Sequence, residues 1–228
     1  MKTEKLKLGL AILILLLAAV GPNLFPIAQA GIANLSKMAV AYLIPSVVLI
    51  FVLVLASHML KFTTLKRQII TGIIAGITGT VGLEIFRIIG FRIGWMPGDL
   101  PKLMGVLLLD QFALGPNTTS NIAGWAYHFW NGAAFGIIFS VLVGRGKIWI
   151  GALYGFLVGI GFMLGPVVKS LGIGAFGFQF KDGYQFFIVV SVAHIAFGAV
   201  LGWLVYKMNS GVPNIFVRIK ESYIKGTN

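Results

Sequence analysis

Three side chains of this sequence could hold a metal or move a proton at membrane depth: His128, His194 and Glu84. His128 stands in the apolar stretch Tyr127-His128-Phe129-Trp130-Asn131-Gly132, with glycines four and eight residues on at Gly132 and Gly136. The same frame returns as His194, Gly198 and Gly202. An ionisable group inside an apolar span is costly and marks a functional site by default. Neutral imidazole suits zinc, copper and iron, and a carboxylate can complete the shell. The cluster therefore predicts a site for a transition metal or haem held by His128, His194 and Glu84, with Asp99 and Asp110 as accessory acids. Two imidazoles related by a pseudo-two-fold axis would face each other as a bis-histidine haem requires, with Gly132 and Gly198 making room for the ring.

The same residues support two further readings. Glu84 and the histidines could form a protonatable relay in a small-solute or proton-linked transporter, a class often built from internal repeats. Alternatively, Glu84 accepts hydrogen bonds from the imidazoles, or pairs with Arg87 one turn on, and fastens the helices of a structural subunit in a membrane complex.

The elements that position these groups must be membrane spans. Of 228 residues, 58% are hydrophobic and 11% charged, and the mean hydropathy is +0.95. A soluble domain carries about 25% charged residues, so this chain lacks the polar surface to coat a water-soluble globule. A span needs about 20 predominantly apolar residues, which predicts six transmembrane helices at roughly 6–27, 38–59, 68–93, 122–143, 148–169 and 186–208. Between the third and fourth, Leu103 to Leu114 is apolar but too short to cross, and reads as an interfacial or re-entrant helix.

Residues 1–60 read as a peripheral helix pair. Lys2, Lys5 and Lys7 before the run Leu8 to Val20, with Ala28-Gln29-Ala30 beyond it, also give the first helix a signal-like layout. Pro22 and Pro26 separate that run from the cleavage-like triplet, which favours a retained, bent helix. His58 lies beside a basic stretch, at an interface.

Glycines define an internal repeat. Aligning Gly72 with Gly151 brings Gly76 onto Gly155, and aligning His128 with His194 brings Gly132 onto Gly198 and Gly136 onto Gly202. Helices 3–4 (68–143) and 5–6 (148–208) thus form a parallel two-helix repeat and a four-helix core, with small residues letting backbones approach closely. At about 1.5 Å per residue, Glu84, His128 and His194 fall about 9–14 Å below the outer membrane edge.

Lysine and arginine total 18 against six acids, a formal charge of +12. They are scattered at span ends without interleaved aromatics, which argues for lipid headgroups and against nucleic acid. With the N-terminus inside, 12 of the 18 lie in cytoplasmic segments, including the basic tail 209–228. This places both termini in the cytoplasm of a plasma-membrane protein. Asn34-Leu35-Ser36 and Asn117-Thr118-Thr119 match the N-glycosylation pattern and fall in the outer loops.

No cysteine is present, which excludes disulfides, thiolate metal sites and thiol catalysis. The sequence has no nucleophile elbow, zinc-protease helix, phosphate loop or dinucleotide fingerprint. It assigns no reaction. Beyond the lipid bilayer, the partners open to such a chain are another membrane protein or a second copy of itself.

Overall fold

The computed structural model describes residues 2–224, whose regular structure is all helical, with no strand among them. Six helices are long and apolar enough to cross a membrane. They are α1 (Lys2–Gln29), α2 (Leu35–Met59), α3 (Thr63–Arg92), α5 (Thr118–Val143), α6 (Ile148–Leu164, continued by the short α7, Pro166–Ser170) and α8 (Gln185–Met208). The short α4 (Leu100–Leu108) lies between α3 and α5, and α9 (Ile215–Ile224) closes the described chain. The bundle therefore has one end rich in lysine and arginine, where α1 begins and α9 lies. The far end carries α4 and α7.

Close packing in the bundle depends on residues without a Cβ. Gly72 and Gly76 of α3 lie against the backbone of Gly132, Gly136 and Ile137 of α5. Gly151 and Gly155 of α6 lie in the same manner against His194, Gly198 and Gly202 of α8. Helices in lipid have no hydrophobic drive to associate, so contact of this kind is what holds them together. A third seam joins α3 to α8, where Gly79 meets the Phe197 carbonyl and Gly90 meets Val189.

The four helices accordingly run α5–α3–α8–α6 as an open arc. Between its ends, α5 and α6 approach through side chains: the Tyr154 hydroxyl donates to the Phe135 carbonyl at 3.1 Å, and the Phe139 and Tyr154 rings are 5.1 Å apart. This aromatic plug fills the gap on the side of the basic end. On the far side, the gap is a cavity.

Helix α1 packs along α5 through Ala11, Ile14 and Ala18. Near its far end it contains Pro22 and Pro26. Proline removes a backbone donor and bends a helix. The Tyr127 hydroxyl of α5 serves the same turn, accepting from Phe25 N–H (3.2 Å) and donating to the Gly21 carbonyl (2.7 Å). A side chain inserted in this way fixes the bend in a defined place. Helix α2 packs on α1 and leaves most of its aliphatic surface exposed, as a lipid-facing span would. After a first α-helical turn, Leu35–Met38, it carries a π-turn at Ala39–Leu43, just before Pro45.

Both asparagines of the glycosylation pattern cap helices. Asn34 accepts from Lys37 N–H at the start of α2, and its amide donates to Asp110. Asn117 forms a capping box with Ser120 that starts α5 four residues earlier than hydropathy suggests, and its amide donates to Gln111. At the basic end, the Arg218 guanidinium of α9 donates to Gln68 Oε1 (2.5 Å), and Gln68 in turn donates to the carbonyls of Ser140 and Pro213. Asn209 donates to Ser140 Oγ and to the Gly144 carbonyl. This buried polar knot docks the amphipathic α9 onto the bundle.

Candidate functional site

The site begins with the side chains near the far end of α3. Glu84 and Arg87, three residues apart, share one face of α3 and are both 5% exposed. Arg87 Nε lies 2.7 and 2.8 Å from the two Glu84 oxygens, and Nη2 lies 2.7 Å from Oε2. Planar guanidinium matches carboxylate in this forked geometry. His128 Nε2 lies 2.8 Å from Glu84 Oε1. Arg87 Nη1 lies 3.1 Å from Asp99 Oδ1, a charge contact without hydrogen-bond alignment, and Lys102 Nζ reaches the other Asp99 oxygen at 3.4 Å. The Trp125 ring lies 5.8 Å from the guanidinium. The result is a charge-balanced chain from His128 through Glu84, Arg87 and Asp99 to Lys102.

His194 takes a different partner. Its Nδ1 lies 2.8 Å from the Val190 carbonyl on the preceding turn. Its ring stacks on Phe162 (centroids 6.0 Å apart, planes at 24°) and lies over Gly159, where a Cβ would come within 3.0 Å of it. A larger residue at 159 would displace the imidazole.

Of the residues singled out by sequence, Glu84 and His128 are in direct contact, Asp99 joins them through Arg87, and His194 stands across the cavity from this chain with its own carbonyl partner. Asp110 is held elsewhere, hydrogen-bonded by Asn34 at an exposed position. Among the described residues, no group of three or more His, Asp or Glu side chains gathers so that it could hold a metal ion. The sequence had offered Arg87 as a partner for Glu84 in competition with the histidines. The geometry accommodates Arg87 and His128 together, because each carboxylate oxygen can accept twice.

His128 and His194 both line a cavity of about 470 Å³ in the gap between α5 and α6. Its walls are mostly apolar: Phe135 of α5, Phe162 of α6, Phe197 of α8, Leu83 of α3 and Met104 of α4. The bent end of α1 adds Pro22, Asn23, Phe25 and Pro26. Ligand sites are commonly concave, mostly apolar and provided with a few placed polar groups. This cavity, and the part α1 plays in it, escaped the sequence reading. The proline pair and Tyr127 were the available signals, and their meaning depends on which helix faces them.

Hydrogen bonding assigns a proton to each imidazole. A carbonyl can only accept, so His194 carries a proton on Nδ1, and no hydrogen bond of the protein engages its Nε2. Glu84, ion-paired with Arg87, likewise accepts, so His128 carries a proton on Nε2, and no hydrogen bond of the protein engages its Nδ1. Each ring is thus oriented by a partner on one nitrogen and free on the other, the arrangement a base, a hydrogen-bond acceptor or a metal ligand requires.

Comparison with models of protein families, with curated proteins and with solved structures returned no match.

Proposed function

We propose that this chain is a proton-linked carrier of a small solute, and that the cavity between α5 and α6 is its solute site. The observation that supports this most is the meeting of two oriented imidazoles on the wall of one mostly apolar cavity inside a bundle of membrane-length helices. The Glu84–His128 contact supplies a carboxylate and an imidazole that share one proton. The Tyr154–Phe139 plug closes the cavity towards the basic end, where a carrier needs a second gate. We place the protein in the plasma membrane with both termini cytoplasmic, on the excess of lysine and arginine at that end. We also read α3–α5 and α6–α8 as a duplicated helix pair, on their matching glycine contacts. An open arc of this kind could close and open by movement of one pair against the other.

Uptake of radiolabelled tyramine into proteoliposomes, as a probe solute with a phenolic ring and an ethylammonium side chain, tests the reading. Protein-dependent uptake above that of protein-free vesicles should respond to a pH gradient and fall at least about tenfold in Glu84→Gln, the range of a lost proton-transfer group. Flux unchanged by that substitution would remove the proton relay.

One observation favours a second reading, a two-histidine metal or haem site. Metal-ligating histidines usually donate their second ring N–H to a carboxylate or a carbonyl, and His128 and His194 do so to Glu84 and Val190. Elemental analysis and a visible spectrum of protein expressed with metals and haem supplied separate the two readings, because bound metal or a Soret band lost together in His128→Phe and His194→Phe would carry the second.

A further inference from the structure

Most of the polar groups on the cavity wall have committed their donors to the protein itself. His128 Nε2–H goes to Glu84, and His194 Nδ1–H to the Val190 carbonyl. The Thr80 hydroxyl donates to the Gly76 carbonyl at 2.9 Å, and the Asn23 amide donates to the Ala19 carbonyl at 2.7 Å. Arg87 is the cation of the lining, and its guanidinium is held between the carboxylates of Glu84 and Asp99. What remains is an excess of acceptors: in the neutral rings His128 Nδ1 and His194 Nε2, then Thr80 Oγ1, Asn23 Oδ1 and the buried, unpartnered Asn131 Oδ1, against the Asn131 amide and Arg87 Nη1 as remaining donors.

From this imbalance we infer that the cavity selects a molecule with an apolar body and a hydrogen-bond donor at its head, a hydroxyl or a protonated amine, and rejects carboxylate and phosphate heads. The inference rests on the reading of the cavity as a solute site and adds the chemistry of the solute. The apolar walls take the body, and the two bare imidazole nitrogens take the donor. An anionic head would leave water for a wall made mostly of acceptors and would meet two carboxylates around the one guanidinium. A buried charge left unpaired in this way is strongly disfavoured. A site built to hydrogen-bond one kind of head discriminates against the analogue that leaves its polar groups unpaired.

Three probes share a naphthalene body and differ in the head: 1-naphthol, 1-naphthylmethylammonium and 1-naphthoate. Their binding to the full chain in lipid nanodiscs at pH 7 is measured by calorimetry or tryptophan fluorescence. We expect naphthol or the ammonium to bind at least about tenfold more tightly than naphthoate, the scale of one or two well-placed hydrogen bonds. In His194→Phe, which retains a ring over Gly159 and against Phe162, the tighter probe should lose roughly tenfold and naphthoate should be unaffected. Gly161→Phe reports on the place of binding. A Cβ at Gly161 meets no atom within 4 Å and the residue lines the cavity, so a side chain can start there without overlapping the backbone, and its ring should occupy the cavity and abolish binding of the tighter probe. Naphthoate binding as tightly as naphthol, yet abolished by Gly161→Phe, would overturn the donor rule and leave the cavity as the site. Naphthol binding indifferent to Gly161→Phe would overturn the cavity reading and this inference with it, and absence of binding by all three probes would overturn the inference.

Discussion

Replacement of Gly72 by alanine tests the glycine seams that shape the bundle. A Cβ at residue 72 would lie 2.5 Å from Ile137 Cα and 2.7 Å from Ile137 N. These are backbone atoms of α5, so no side-chain rotation relieves the overlap. Ordinary contact begins near 3.4 Å, so α3 and α5 must part by the difference, 3.4 minus 2.5, or about 0.9 Å. Overpacking of this degree costs about 1–3 kcal/mol. Alanine also favours the helix over glycine by about 0.5–1 kcal/mol, which masks part of the cost. Gly161→Ala removes the ambiguity, because its Cβ meets open space and it carries only the helix contribution. The difference between the two variants isolates the seam. It should be about 1–3 kcal/mol, or roughly 5- to 150-fold in the folding equilibrium. Unfolding by sodium dodecyl sulfate titration in mixed micelles, followed by circular dichroism, measures it. Equal midpoints for Gly72→Ala and Gly161→Ala would refute the argument that the backbones of α3 and α5 touch at this point.

Other substitutions probe the site and its supports. Arg87→Met should destabilise the bundle by about 3–5 kcal/mol by stranding Glu84, and the double variant Glu84→Gln/Arg87→Met should recover much of that, because removing both charges restores neutrality; the same unfolding titration reads both. Tyr127→Phe leaves Phe25 N–H and the Gly21 carbonyl without their bridge. It should cost about 1–3 kcal/mol and loosen the end of α1, seen as faster amide exchange around residues 21–25. Arg218→Ala removes the charged donor to Gln68, worth about 1.5–3 kcal/mol, and should expose α9 to limited proteolysis without altering probe binding at the far end.

Much of the architecture was legible because membrane length and apolar composition are one-dimensional signals. The six spans emerge within a few residues of their observed bounds, and the largest shifts have local causes. The Asn117–Ser120 capping box carries α5 back to Thr118, and the turn beginning at Thr63 extends α3 through the polar Lys66, Arg67 and Gln68. The glycines Gly72, Gly76, Gly151 and Gly155 could be read as packing faces, since a bare helix face has one principal use in lipid. The site was legible in part. Glu84, His128 and Arg87 stand out as ionisable groups in apolar stretches, whereas the split between His128 and His194 depends on helix rotation. A rotation of one residue along α8 changes which helix an imidazole meets, and residue spacing does not carry that information. The cavity was not legible at all. It exists because α5 and α6 are held apart at the ends of an arc while α3 and α8 touch, an outcome of tertiary packing.

If the cavity is a solute site of this kind, His128 and His194 present bare nitrogens to it. Nitrogen-15 NMR of histidine-labelled protein in lipid nanodiscs observes those nitrogens directly, with His58 at the opposite end as an internal control. The expected result is a protonated Nε2 on His128 and a protonated Nδ1 on His194, with their bare Nδ1 and Nε2 resonances shifting on addition of 1-naphthol while those of His58 stay in place. The opposite tautomer at either histidine, or a probe that moves neither resonance, would rule this arrangement out.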